Sequence, residues 1–269
     1  MTRILITGAA GRIGTALTPL LRDRGFTLRL LDLAQPPAAG AGDEVVLGSV
    51  TDGAVMRSAA EDVDLLLHLA SFPSDREWRR MIDTNLESVH VVLEAARAAG
   101  VPVTLLASSG HAVGYTPSDE VGDRVPYPRP DSLYGFAKAA GEALAGLYAD
   151  HFGMRIVSAR ILTFDERPRT RRALATWVSP ADLARLVVAS LDAPIGHRIV
   201  WGVSANTRRP VSLDAGFELG YRPEDDAERF ADELAAELGL AAASDIPALG
   251  SEPLGGEVAD PARPLGEPW

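Results

Sequence analysis

The chain has 269 residues, of which 46% are hydrophobic and 23% charged, a composition typical of a globular protein with a sizeable core. Its formal charge of −11 argues against binding along a nucleic-acid backbone, and its lack of cysteine excludes disulfides, thiolate metal sites and a cysteine nucleophile. No apolar run approaches the roughly 20 residues of a membrane-spanning helix. We therefore expect a soluble, cytoplasmic protein without a cleaved signal, which binds a small molecule rather than nucleic acid or a membrane.

The first part of the chain alternates short aliphatic runs with amphipathic stretches. Five runs predict strands covered on both faces: RILITG, TLRLLDL, EVVLGSV, DLLLHLA and VPVTLLASS. The helices predicted between and after them are GRIGTALTPLLRDRG, DGAVMRSAAED, DREWRRMIDTNLESVHVVLEAARAAG and SLYGFAKAAGEALAGLYADHFG. MRIVSARIL and RIVWGVSA add a sixth and a seventh strand. This order predicts an α/β fold, a Rossmann-type doubly wound parallel sheet of about seven strands.

From about residue 162 the alternation becomes irregular. Two further helices are predicted, in WVSPADLARLVVASLDAP and in ERFADELAAELGL. The final ALGSEPLGGEVADPARPLGEPW contains too many glycines and prolines for regular structure and predicts a tail on the surface. We therefore predict that residues 162–269 form a small C-terminal substrate-binding elaboration with a tail, packed on the same domain as residues 1–161.

Three glycines lie between the first predicted strand and the first helix. Glycine permits a tight turn there and lets backbone N–H groups approach a pyrophosphate at the helix N-terminus. The second strand ends in Asp32, where an acid accepts hydrogen bonds from ribose hydroxyls and repels a 2′-phosphate. Residues 1–161 are therefore predicted to be an NAD-binding Rossmann domain; the alternative is a turn without a ligand, with Asp32 as a helix cap. The residues predicted at the cofactor are Gly8, Gly11, Arg12, Ile13, Gly14 and Asp32.

The glycine spacing in T-G-A-A-G-R-I-G resembles that of the extended short-chain dehydrogenase/reductase superfamily, which includes NAD-dependent sugar epimerases and dehydratases. HLAS ends the fourth strand where the superfamily has H-x-A-A, and DTNLESVHVVLEAA is similar to its N-x-x-G-T-x-x-x-L-E-A-A segment. The resemblance implies that Leu69, Ala70 and Ser71 contact the cofactor. Asn85 is implied either to contact it or to brace the strand ends.

Tyr134 and Lys138 lie one helical turn apart after the fifth strand. A free tyrosine has a pKa near 10, and a lysine ammonium together with the positive nicotinamide of oxidised NAD would lower that pKa toward the working range. We therefore predict that Tyr134 is the catalytic base and that Lys138 supports it, with both also at the cofactor. The alternative is a packed aromatic ring beside a solvated charge.

ASSGHAVGY follows the fifth strand and should supply the hydroxyl that completes the superfamily's catalytic triad. Ser109 is the candidate, although the serine position of the family's S-x-x-V-Y-G motif falls on Gly110. A backbone group or His111 is the alternative donor. His111 is predicted either to contact the substrate or to fill a polar gap.

Most of the chain resembles the uronate dehydrogenases, short members of this superfamily. The narrowest resemblances are SSGHAVGY and RPDSLYGFAK, which read close to SSNHTIGY and RPDGLYGVSK in that family, followed by RRALATWVSPAD and WGVSANT. The resemblance implies NAD-dependent oxidation of glucuronate or galacturonate at the anomeric carbon, giving an aldarolactone. It implies substrate contacts from Ser109, Gly110, His111, Tyr134, Thr163 and Arg172.

Arg172 is the residue implied to bind the carboxylate, because a guanidinium offers two parallel donors to it. Thr163 keeps the hydroxyl of a family serine. At three positions this chain departs from the family: Gly110 replaces an asparagine, Pro73 replaces a serine that contacts the sugar, and Ser49 replaces an aspartate at the adenine. These departures leave the preferred sugar open.

Two other functions share parts of this pattern. A nucleotide-sugar epimerase or dehydratase would use the same tyrosine and lysine, but little sequence follows the sixth strand to hold a nucleotide diphosphate. A non-catalytic dinucleotide sensor would keep the glycine loop, but Tyr134 and Lys138 in register argue against it. We expect a sugar-acid substrate, no metal-ligand cluster and a homo-oligomer.

Overall fold

A parallel sheet of seven strands forms the centre of the computed structural model, which describes residues 2–122 and 126–269. In chain order the strands are β1 (Arg3–Thr7), β2 (Thr27–Asp32), β3 (Glu44–Leu47), β4 (Leu65–His68), β5 (Val103–Ser109), β6 (Arg155–Ile161), β7 (Thr163–Phe164), β8 (Trp177–Val178) and β9 (Gly196–Gly202). The order across the main sheet is β3-β2-β1-β4-β5-β6-β9, while β7 and β8 pair separately. The predicted Rossmann-type doubly wound fold is thereby confirmed.

Helices cover both faces of this sheet. They are α1 (Arg12–Arg22), α2 (Gly53–Ala59), α3 (Trp78–Arg80), α4 (Glu87–Ala99), α5 (Leu133–Phe152), α6 (Arg171–Thr176), α7 (Pro180–Ser190), α8 (Asp214–Leu219) and α9 (Ala231–Glu237). Among the described residues, no helix is long and apolar enough to cross a membrane.

Alternate residues of β1 point to opposite layers. Ile4 and Ile6 pack into the core that includes side chains of α1 and α7, whereas Leu5 packs into the core that includes side chains of α2 and α4. A strand covered on both faces needs apolar residues at every position, which is why the strands read as nearly continuous aliphatic runs.

The long helix predicted between the fourth and fifth strands is interrupted. A π-helical segment, Met81–Leu86, separates α3 from α4 and carries the buried Asn85. The apolar spacing of the sequence continues through this segment, so it does not reveal the wider turn. Such π segments occur mostly as single turns and often at functional sites.

The part of the chain after β6 both completes the main sheet and builds a small core of its own. Strand β9 joins the sheet beside β6, and Leu174, Trp177, Leu234 and Ile246 form a separate apolar cluster. The predicted tail is attached to the body: Leu254 donates its N–H to the Thr116 carbonyl at 2.8 Å.

Candidate active site

A cavity of about 550 Å³ opens at the carboxyl ends of β1, β4, β5 and β6. This is the edge at which ligands bind in open, doubly wound sheets, beside the point where the strand order reverses. Most of the residues predicted for the site line it. Its walls are formed by Gly8, Gly11, Arg12, Ile13, Gly14, Leu69, Ser71, Pro73, Ala107, Ser108, Ser109, His111, Tyr134, Lys138, Ile161, Leu162, Thr163, Phe164 and Trp269.

The glycine loop crosses one end of this cavity, and its glycines are required by close backbone approaches. Gly8 has φ of 73°, and a Cβ there would lie 2.6 Å from the Ala70 backbone nitrogen. A Cβ at Gly14 would lie 2.6 Å from the Gly8 carbonyl oxygen. Gly11 precedes the first turn of α1, so the unpaired N–H groups of that helix face the cavity. The loop is a cradle that fits the pyrophosphate of NAD.

Asp32 ends β2 beside this cradle and does not line the cavity itself. Its Oδ2 accepts a hydrogen bond of 2.9 Å from the Ala10 N–H, which holds the carboxylate against the glycine loop. The side chain stays half-buried, so part of the carboxylate is available to hydroxyl donors. This placement fits the predicted recognition of the adenosine ribose.

The loop after β4 forms the opposite wall, and Asn85 braces it. The Asn85 carboxamide accepts from the Phe72 N–H at 2.8 Å and donates to the Phe72 carbonyl at 3.0 Å. Leu69 and Ser71 reach the cavity, whereas Ala70 turns its backbone toward Gly8. These two hydrogen bonds fit the bracing role that the sequence left open for Asn85.

Lys138 lies at the base of the cavity. Its ammonium donates to the Ala107 carbonyl at 2.7 Å and to Ser71 Oγ at 3.4 Å, and lies 5.5 Å from the centre of the Tyr134 ring. Burial lowers the pKa of Lys138 to about 8, while the charge of Glu142 acts in the opposite direction. Tyr134 and Lys138 therefore lie next to each other, and both line the cavity.

The pKa of Tyr134 departs from its usual value in the direction opposite to the expected one. Burial raises it to about 12, although a hydrogen bond with the Ser109 side chain lowers it; the charge of Asp131 adds to the increase. Lys138 does not offset this burial in the protein alone. The physical reason is that the unfavourable free energy of removing a phenolate from water exceeds the favourable interaction with a cation at this distance.

Ser109, one residue before the position given by the family motif, is the side chain whose hydrogen bond lowers the pKa of Tyr134. It ends β5, and its Oγ also accepts from the His111 N–H at 3.2 Å. A side chain at Gly110 would meet Leu162, because a Cβ there would lie 2.3 Å from Leu162 Cδ2. Leu162 thus occupies the volume next to Gly110, and an asparagine at that position would have to displace it.

His111 lines the cavity and is held by a buried acid. Its Nδ1 lies 2.8 Å from Asp131 Oδ2, and Ser132 donates to the other oxygen of Asp131 at 2.9 Å. The His111 ring also packs edge-on against Tyr134, with the ring centres 5.9 Å apart. This fixed orientation favours a defined contact between His111 and a ligand in the cavity over the filling of a polar gap. Nothing in the sequence indicates that Asp131 holds the ring.

Arg172 approaches the site through Thr163. Its guanidinium donates to Thr163 Oγ1 at 3.0 Å and to the Leu254 carbonyl at 3.2 Å, and Thr163 itself lines the cavity. Within residues 2–122 and 126–269, no carboxylate lies within ion-pair distance of Arg172. Burial lowers the pKa of Arg172, and the more distant Asp131 acts against this. A guanidinium remains charged in such a site.

Two residues of the site carry no signal in the sequence. Asp75 is buried and accepts from the Tyr134 N–H at 2.6 Å and from the Gly266 N–H at 2.7 Å, which ties the tail to the start of α5. Trp269 lies in the cavity wall, close to Tyr134 and His111. Asp75 appeared in the sequence only as the first residue of a predicted helix and Trp269 as the end of the tail, and neither belongs to a functional motif.

Comparisons with known proteins show which family and which solved structures the chain is similar to. The sequence model of the NAD dependent epimerase/dehydratase family matches residues 4–164. The chain is 38% identical to a uronate dehydrogenase from Pseudomonas syringae pv. tomato, over 85% of this chain and 84% of that protein. It superposes with a TM-score of 0.87 on a mutant uronate dehydrogenase from Agrobacterium tumefaciens complexed with NAD, at 31% identity over 98% of each chain. A glucuronic acid dehydrogenase from Chromohalobacter salexigens gives a TM-score of 0.86, at 34% identity over 96% of each chain.

Proposed function

The chain belongs to the NAD-dependent epimerase/dehydratase family, and we propose that it oxidises a cyclic uronic acid, glucuronate or galacturonate, at the anomeric carbon to an aldarolactone. The similar proteins carry the names uronate dehydrogenase and glucuronic acid dehydrogenase, and one of them is complexed with NAD. The cavity offers a base, a hydroxyl donor and a nearby cation to such a substrate.

The residues that would hold NAD are those of the glycine loop, Asp32 and the loop after β4. When bound, oxidised NAD accepts the hydride of the anomeric carbon and brings a positive charge that favours the Tyr134 phenolate. The N-terminus of α1 contributes partial positive charge toward the pyrophosphate. Asp32 accepts from the adenosine ribose and disfavours the 2′-phosphate of NADP.

Tyr134 takes the proton of the anomeric hydroxyl. Ser109, which hydrogen-bonds the phenol and lowers its pKa, orients the same substrate oxygen. Lys138 adds a cation 5.5 Å from the tyrosine ring centre and is itself fixed by the Ala107 carbonyl. These three side chains lie on α5 and at the end of β5, so rigid elements hold them.

The choice of a carboxylated substrate rests on the surroundings of Arg172. This residue is a half-buried cation whose hydrogen-bond acceptors in the described chain, Thr163 Oγ1 and the Leu254 carbonyl, are both neutral. A partly buried charge whose partners in the described residues are all neutral is unfavourable, and an incoming carboxylate would stabilise it. A sugar that carries a carboxylate therefore fits the site better than a neutral one.

Spectrophotometry with a panel of substrates tests this proposal. The protein and NAD are mixed with glucuronate, with galacturonate, with the matching neutral aldoses and with a UDP-sugar, and NADH absorbance is followed. We expect NADH with at least one uronate and much less with the neutral sugars. If neither uronate gives NADH and the UDP-sugar is converted, a nucleotide-sugar epimerase would be favoured instead.

Three broader features belong to the same proposal. The NAD-binding unit comprises residues 1–161, and residues 162–269 form the substrate-binding elaboration packed on the same domain. The protein acts in the cytoplasm, which its lack of cysteine supports. It assembles as a homo-oligomer, which is supported by exposed apolar side chains on α5 such as Phe136 and Leu147.

A further inference from the structure

The tail brings an aromatic side chain to the reacting residues. The Trp269 ring centre lies 5.1 Å from that of His111 and 5.7 Å from that of Tyr134, and the side chain lines the cavity. The Trp269 ring is nearly perpendicular to that of Tyr134, at 79°. One face of the cavity beside the catalytic base is therefore an indole.

The approach of Trp269 is built into the fold rather than being an accident of an unattached end. Asp75 accepts the Tyr134 N–H with one carboxylate oxygen and the Gly266 N–H with the other, at 2.6 and 2.7 Å. Because Asp75 is only 2% exposed, water competes little for these bonds. A single buried carboxylate thus fixes the catalytic tyrosine and the tail to the same point.

A second attachment holds the tail further upstream. Leu254 donates to the Thr116 carbonyl at 2.8 Å, and Gly255 donates to the Gly114 carbonyl at 2.9 Å. The Leu254 carbonyl in turn accepts from Arg172, the cation proposed to bind the carboxylate. Residues 254–269 therefore run from the proposed carboxylate site to the catalytic base, with an attachment at each end.

The substrate end of the cavity is divided by polarity. Ser109, Tyr134 and Thr163 contribute hydroxyl groups, whereas Pro73 and Trp269 contribute apolar surface. A pyranose ring is divided in the same way, since its hydroxyl groups project mainly from the rim and its C–H groups form apolar faces. Ligand sites commonly combine apolar and aromatic walls with a few polar groups that fix orientation.

Building on the proposed oxidation of a uronic acid, we propose that Trp269 is a substrate-binding residue that packs on the C–H face of the sugar ring and orients the anomeric carbon toward Tyr134. The tail is then part of the active site. Asp75 is the positioning residue that sets the tail in register with the catalytic helix. The cofactor end of the cavity does not depend on Trp269.

Kinetics of Trp269→Ala, Trp269→Phe and Trp78→Ala test this role of Trp269. Trp78 is the matched control, because it is a half-exposed tryptophan that does not line the cavity. We expect Trp269→Ala to raise the KM for the uronate by about tenfold, as befits the loss of one aromatic packing partner, with the KM for NAD little changed. Trp269→Phe should recover most of the affinity, and Trp78→Ala should behave as the wild type.

Fluorescence gives a second reading that does not require turnover. Titration with a uronate should quench the wild-type tryptophan emission, and this quenching should be lost in Trp269→Phe but kept in Trp78→Phe. An unchanged uronate KM in Trp269→Ala would overturn the proposed role. A lower uronate KM in Trp269→Ala would also overturn it, because Trp269 would then hinder binding of the sugar. An equal rise in the KM for the uronate and for NAD would overturn it as well. If the wild type binds but does not oxidise uronates, the proposed function fails while quenching still decides the role of Trp269.

Discussion

Burial acts against the charged form of both side chains of the proposed catalytic pair, Tyr134 and Lys138. It raises the pKa of Tyr134 to about 12 and lowers that of Lys138 to about 8. Ser109 is the neighbour whose hydrogen bond lowers the pKa of the phenol. In the proposed reaction the serine therefore does more than orient a substrate oxygen, because it also lowers the pKa of the proposed base toward the working range.

Replacement of Ser109 by alanine should change the pH dependence of the reaction. The active form of Tyr134 is deprotonated, so kcat/KM rises with pH through the pKa of the base, and a higher pKa moves that rise to higher pH. Because Ser109→Ala raises this pKa, we expect it to lower kcat/KM at neutral pH, by about tenfold if the pKa increases by about one pH unit. The full pH profile of kcat/KM measures this. Ser109→Thr, which keeps a hydroxyl, should lie closer to the wild type, and coincident profiles for Ser109→Ala and the wild type would contradict the role.

Arg172 allows a direct comparison between charged and neutral substrates. Its loss should raise the KM for a uronate by roughly 10- to 100-fold, as expected for a charge-assisted hydrogen-bonded pair, and should affect the matching neutral aldose far less. Arg169→Ala is the control, because Arg169 is 60% exposed and pairs with Asp165 outside the cavity. Equal effects of Arg172→Ala on both sugars would show that Arg172 does not bind the carboxylate.

At the scale of elements, the parallel sheet is tied together beneath the cavity by His68. This residue ends β4, and its ring contacts Thr7 Oγ1 of β1 at 2.8 Å and Ser88 Oγ of α4 at 3.2 Å. Burial, aided by the charge of Lys138, lowers the pKa of His68 to about 3. The folded protein therefore holds this imidazole neutral through the mildly acidic range.

The sign of the stability change follows from this pKa. Between about pH 6.5 and 3 the unfolded chain binds a proton at His68 that the folded chain does not, so the free energy of unfolding falls as pH decreases, by about 1.4 kcal/mol per pH unit from this group. Chemical denaturation at several pH values should show a shallower slope for His68→Gln than for the wild type. His90→Gln, at a half-exposed position on α4, should keep the wild-type slope. Equal slopes in all three proteins would contradict this role of His68.

The sequence predicts some elements well because their signals are local. All seven strands of the main sheet and the helix that carries Tyr134 follow from aliphatic runs, alternation and glycine positions. Sequence patterns do not predict the π-helical segment around Asn85, because one wider turn leaves the apolar spacing nearly unchanged. The tail itself is predicted, but its attachment at Asp75 is not: Gly266 and Asp75 are 191 residues apart, and glycine-rich sequence has no period that would show where it packs.

At the scale of the whole molecule, the site is assembled from distant parts of the chain. The glycine loop proposed to hold the cofactor follows β1, the proposed base lies on α5, the proposed carboxylate-binding cation lies on α6, and Trp269 forms one wall. The motifs predicted which residue types should meet, and the fold brings most of them to one cavity. Leu162 beside Gly110 and the indole beside Tyr134 depend on tertiary packing, so they could be seen only in the structure.

Transfer of the hydride from the anomeric carbon of a uronic acid is the central step of the proposed function. Incubation of the wild-type protein with NAD and a uronate deuterated at that carbon, followed by mass spectrometry of the NADH, tests it directly. We expect the deuterium to appear in the NADH, and we expect Tyr134→Phe to form none while still binding NAD. Unlabelled NADH from the labelled sugar would show that another carbon is oxidised and would contradict the proposed reaction.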